Sequence, residues 1–176
     1  LDWIQRMLHE VMIAEICEKH DTHGFMRCIK LLSSGAKISI DFMEGEVRGR
    51  TFDHVFSVTE DFLRNAQKVK IAIAQENFEM YVPDYTDYLI LKLMSARPSD
   101  IRDIATLVWK KGVPANLKQA ANKTLPHPEI VEKNLSFIIS DISDKRFLDS
   151  WKGTFITTKF TEKTKKEVLD KLRNLL

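Results

Sequence analysis

Tyr85-Thr86-Asp87-Tyr88-Leu89-Ile90-Leu91-Lys92-Leu93-Met94-Ser95-Ala96-Arg97-Pro98-Ser99-Asp100-Ile101-Arg102-Asp103-Ile104 reads as two helices joined by a very short connection. From Tyr88 to Met94 the chain is apolar nearly all round, broken only by Lys92. A helix apolar on every side is buried, and a lysine is almost never buried without a partner. Lys92 therefore either snorkels its ammonium to the surface or faces an anion. After Pro98, Ser99 is placed to cap a second helix. Ile101, Ile104, Ala105 and Val108 then form one apolar stripe at helical spacing. Asp100 and Asp103, three residues apart, project from neighbouring positions of that helix. The pattern brings one lysine, one arginine (Arg97) and two carboxylates to the seam between the helices.

Working outward, Asp84 is the expected cap of the first helix, and Phe78 to Val82 alternates as a strand that ends at Pro83. Val69 to Ile73 looks extended, and Thr59-Glu60-Asp61-Phe62 opens a short helix. Glu44 to Asp53 reads as a loop. Phe25 to Leu32 and Lys37 to Glu44 form a hairpin about Ser33-Ser34-Gly35-Ala36. In its second strand Ile38, Ile40 and Phe42 face a core, and Asp41 lies on the polar face. Trp3 to about Lys19 carries the apolar spacing of a long amphipathic helix. Beyond Gly112 the pattern turns wholly helical, with segments near 115–123, 127–143, 145–151 and 161–176. The fold class is α+β, with a core over residues 1–112 and a helical C-terminal region over 113–176.

Composition narrows the function classes. The 176 residues carry 27 Lys and Arg against 25 Asp and Glu, a net charge of +2 that gives no global argument for nucleic-acid binding. No apolar run approaches the roughly 18 residues of a membrane span. Two cysteines, Cys17 and Cys28, are too few for a disulfide scaffold and suit a reducing, cytoplasmic setting. The start Leu1-Asp2-Trp3 has no methionine, and the chain reads as part of a longer polypeptide.

Each candidate residue has a chemical reading and a plainer one. Lys92 and Arg97 suit phosphate, as a compact charge and a planar fork, or are a snorkelling lysine and an arginine at a helix end. Asp100 and Asp103 suit a general base, a metal ligand or an arginine partner, or offset the helix dipole. Asp41, held on a strand, suits a divalent-metal site or a solvated face. Cys17, His20, His23 and Cys28 have ligand spacing for zinc, yet both cysteines sit where small core residues belong. Lys163, Lys165, Lys166 and Lys171 form a solvated helix face or touch RNA phosphates.

The order of these pieces resembles the nucleotidyltransferase superfamily, in the abortive-infection branch that supplies the toxin of type IV toxin–antitoxin systems. The segment from Tyr88 to Ile104 is similar to that family's Lys-Leu-x-Ala and Arg-x-Lys-Asp-x-x-Asp motifs, with Ser99 where the family has lysine. Ile38-Ser39-Ile40-Asp41-Phe42 stands in the place of its hairpin carboxylate. Leu1-Asp2-Trp3 resembles the end of its Asp-x-Asp motif; the preceding Gly-Ser and first aspartate are not in this chain. The resemblance implies a mixed sheet flanked by helices and two Mg2+ ions held by Asp2 and Asp41. It implies a nucleoside triphosphate held by Lys92 and Arg97, and Asp2, Asp41, Asp100 and Asp103 as catalytic carboxylates. The reaction implied is nucleotide transfer to a hydroxyl of a protein or an RNA such as tRNA, with an antitoxin as partner and no membrane. The alternative is a catalytically degenerate relative that acts in binding or regulation.

Overall fold

The computed structural model describes residues 6, 15–20, 24–49, 54–73 and 76–176, and within them the chain is α+β. It divides into two compact units, 1–48 and 49–176.

In the first unit, strands β1 (Glu15–His20), β2 (Phe25–Leu31) and β3 (Lys37–Met43) form an antiparallel sheet in the order β1-β2-β3. The expected hairpin is present. Its turn is closed by Leu32 N–H donating to Ala36 O at 2.8 Å, and Gly35 supplies the positive φ of 82° that the reversal requires. Glu15–His20 is a strand and not the end of a helix: pairing with β2 overrides the apolar spacing there, with a register shift between Ile16 and Glu18. Of the remainder of the expected helix only Arg6 is described, and it is helical; the other residues, and Asp2, lie outside the described residues.

Met26 and Cys28 are buried on β2, and the register sets Phe42 and Ile40 opposite them. Ile38 and Ile40 nevertheless stay 48% and 42% exposed. Cross-strand partners share a face, so the face is the expected one, but β3 is an edge strand and its apolar side chains are only half covered. A short strand β4 (Glu46–Arg48) interrupts the stretch expected as loop.

The second unit carries β5 (Val55–Ser57), helix α1 (Glu60–Asn65) and the hairpin of β6 (Gln67–Ile73) and β7 (Glu76–Val82). Six further helices follow: α2 (Tyr85–Ser95), α3 (Pro98–Lys111), α4 (Leu117–Thr124), α5 (Glu129–Ser143), α6 (Phe147–Phe155) and α7 (Glu162–Arg173). The described sheets are therefore small antiparallel ones, where the resemblance implied a single mixed sheet.

Helix α2 packs on α3, α4 and α5, and α3 packs on α5 and α7. Leu89, Ile90, Leu93, Ile101, Ile104, Ala105 and Val108 are at most 1% exposed and form the centre of this core. At the far end of α3, Trp109 joins Phe147, Trp151, Phe155 and Phe160 in an aromatic cluster. Lys165 departs from the solvated face expected of the last helix. It is buried, and its ammonium donates to Asp144 O at 2.8 Å, satisfying the carbonyl that ends α5.

Candidate functional site

The seam between α2 and α3 is built by three local devices. Asp84 caps α2, its Oδ1 accepting from Asp87 N–H at 2.8 Å. At the other end Ala96 takes a left-handed conformation, φ 44° and ψ 34°, unfavourable for a residue with a Cβ by about 1–2 kcal/mol. The compensation comes from α5: the Asn134 amide donates to Leu93 O at 3.0 Å and Met94 O at 2.8 Å, two carbonyls that the helix end leaves without partners.

The start of α3 differs from expectation. The cap residue is Arg97, not Ser99, because Pro98 fits the first helical position, where its missing N–H costs nothing. Asp100 then falls at the third position, and its Oδ2 accepts from Arg97 N–H at 3.3 Å.

These devices place Lys92 against both carboxylates. Its ammonium donates to Asp100 Oδ1 at 2.7 Å and Asp103 Oδ2 at 2.8 Å. The side chains of Lys92 and Asp100 are 19% and 9% exposed, and that of Asp103 is 34% exposed. The cluster is thus closed on the Asp100 side and open on the Asp103 side. The Tyr88 ring lies 5.5 Å from the ammonium and adds a weaker cation–π contact. Lys92 faces an anion, as one of its two readings required, and the anion comes from this chain.

Burial disfavours the charged form of each partner. For Lys92 that penalty is outweighed by the hydrogen bonds it donates to Asp100 and Asp103, and its proton is held more tightly than in an ordinary lysine. Burial likewise works against the Asp100 carboxylate, but hydrogen bonds from Lys92 and Ser95 and from the Arg97 backbone keep its pKa below the usual 3.8. The sign of the linkage follows. Asp100 contributes stability above pH 3.8, lost as pH falls through its lower folded value. Lys92 contributes below pH 10.5, lost only as pH rises through its raised folded value. Thermal denaturation should therefore show no change from this cluster between roughly pH 5 and 9 and a loss on acidification below about pH 4. A melting temperature indifferent to acid there would contradict the geometry.

Arg97 is exposed, and its guanidinium has no hydrogen-bond or ion-pair partner among the described residues. Asp41 lies in the other unit. Its two oxygens accept from Arg27 Nε at 2.7 Å and Nη2 at 2.9 Å, a bidentate fork across β2 and β3. Sequence reading passed over Arg27, although the register set by the hairpin turn pairs it with Asp41. Ser95 and Asn134 were missed as well. For Asn134 no local signal exists, because its partners lie about forty residues away.

Of the implied magnesium ligands Asp2 lies outside the described residues, and Asp41 is paired with a guanidinium, as Asp100 and Asp103 are with an ammonium. No group of three His, Cys, Asp or Glu among the described residues is arranged to hold a metal ion. Of the possible zinc quartet only the Cys28 side chain is described, and it is buried. Among the described residues, no helix is long and apolar enough to cross a membrane. No protein-family model, curated protein or solved structure matches this chain.

Proposed function

We propose that the α2–α3 seam binds the phosphates of a nucleoside triphosphate, in a protein of nucleotidyltransferase type that moves a nucleoside monophosphate onto a hydroxyl of a protein or an RNA such as tRNA. The observation that carries this reading is Lys92, a half-buried ammonium held by one enclosed carboxylate and one that opens to solvent. A triphosphate can take the place of Asp103 on Lys92 while Asp100 stays, and the unpartnered guanidinium of Arg97 supplies a second contact. Asp103, so released, is a carboxylate able to accept the proton of the acceptor hydroxyl. That oxygen attacks the α-phosphorus, and pyrophosphate leaves. The ordered motifs from Asp2 through Asp41 to Asp103 support the reaction class, and an antitoxin partner belongs to the same proposal.

A second reading, binding or regulation without transfer, is favoured by one specific feature. Lys92 and Asp41 are both ion-paired within the chain. Isothermal titration with ATP, CTP, GTP and UTP in magnesium buffer tests the shared step. At least one nucleotide should bind, and Arg97→Ala, which leaves the core untouched, should weaken it about tenfold, about 1.4 kcal/mol. Absence of binding by all four nucleotides sinks both versions. Binding without release of pyrophosphate selects the regulatory one.

A further inference from the structure

A second polar site lies at the opposite end of α2 from Lys92. Helices α1, α2 and α4 enclose a cavity of about 250 Å³ whose wall includes Asp61, Asp84, Asp87, Asn116, Gln119 and Lys123. Asp61 is matched by the Lys123 ammonium, which sits in hydrogen-bond contact with it. Asp84 accepts from the Asp87 backbone N–H as the cap of α2. Asp87 is different. It is only 6% exposed, yet its carboxylate has no hydrogen-bond or ion-pair partner among the described residues.

A carboxylate this enclosed keeps little of its hydration, and Asp87 sits beside a second one. Burial, and then the charge of Asp84, push its pKa above the usual 3.8. The first turn of α2 does not explain the arrangement by itself. At that position an aspartate commonly closes a capping box, whereas here only the backbone of Asp87 takes part. The cavity therefore carries three carboxylates against one ammonium of its own, and the deepest charge is the one left unmatched.

We propose that this cavity binds a small organic molecule carrying a primary ammonium group, seated on Asp87 and Asp84. Three observations choose this class. The excess negative charge excludes an anion. No three acidic or histidine side chains among the described residues are placed to ligate a metal ion, whereas Asn116 and Gln119 offer amide oxygens to N–H donors. The Lys123–Asp61 pair shows the same chemistry already satisfied once on the same wall, by a primary ammonium of this chain. The volume admits a ligand of several heavy atoms and not only a single ion. The proposal is independent of nucleotide binding at Lys92.

Titration calorimetry at pH 7.5 with 1,4-diaminobutane, spermidine, agmatine and magnesium chloride tests it. A primary amine should bind. Asp87→Asn should weaken the amine at least tenfold while the unliganded variant melts no lower than the parent, because it loses a charge that burial and Asp84 disfavour. Lys123→Ala, at an exposed position, should act in the opposite direction and tighten binding severalfold by removing the competing cation. Failure of every amine to bind at 10 mM, or equal binding by Asp87→Asn, overturns the proposal. So does magnesium binding in place of the amines.

Discussion

Replacing Lys92 by methionine is expected to destabilise the helical unit by about 3 kcal/mol near pH 7 and to abolish the nucleotide binding proposed for the seam. Loss of one member of a buried ion pair typically costs 3–5 kcal/mol, because the partner charge is left without compensation. The lower end applies here, since Lys92 retains some solvent access and Asp103 is a third exposed. Asp100 is the member that suffers, enclosed at 9% exposure and deprived of its only ammonium. Urea unfolding of the single variant and of Lys92→Met with Asp100→Asn separates the causes. The double variant should recover most of the lost stability, because its buried side chain no longer needs a counter-charge. The single variant's deficit should also shrink in acid, where Asp100 is protonated. A Lys92→Met protein as stable as the parent would show that the ion cluster is only a solvated surface feature.

Trp151→Ala is expected to cost about 4 kcal/mol, in the range for removing a large aromatic side chain from a core. Trp151 is 1% exposed and stacks on Phe160 with ring centroids 4.5 Å apart and an interplanar angle of 23°. It meets Trp109 edge-on at 6.1 Å and Phe155 at 4.7 Å. Its indole N–H also donates to Thr106 Oγ1 at 2.9 Å, so the substitution removes a polar tie to α3 together with the packing. For a unit of this size the melting temperature should fall by on the order of 10 °C. The transition is best followed by the near-ultraviolet circular dichroism of the tryptophans, where a change below about 1 kcal/mol would refute the placement of the cluster. The nucleotide binding proposed for the seam should survive below the lowered transition, because no atom of Trp151 is part of the Lys92 cluster.

The elements that were legible in the sequence are those whose signal lies within a turn or two of the chain. Asp84 and Thr59 cap helices as expected because a cap acts on an N–H three residues away. The stripe of Ile101, Ile104, Ala105 and Val108 is buried as its spacing requires. Gly35 turns the hairpin, and the helices after Gly112 fall close to their expected places. Where local signals competed, the nearer covalent constraint won. Pro98 took the first helical position and moved the cap from Ser99 to Arg97.

By itself, then, the sequence determined the α+β class, the paired helices and the presence of a lysine that needed an anion. Tertiary structure alone decided which anion. Asp100 and Asp103 reach Lys92 because Ala96 reverses the chain, and Asn134 of a later helix holds that reversal in place. It also made a strand of Glu15–His20, whose apolar spacing suited a helix until β2 offered its backbone groups. The same holds for the acidic cavity. Asp61, Asp84 and Asp87 look like ordinary residues of helix starts, and only the packing of α1, α2 and α4 makes them neighbours. Periodicity and caps report on a few adjacent residues. Ion pairs and cavities depend on register and packing, which bring together side chains that the sequence keeps far apart.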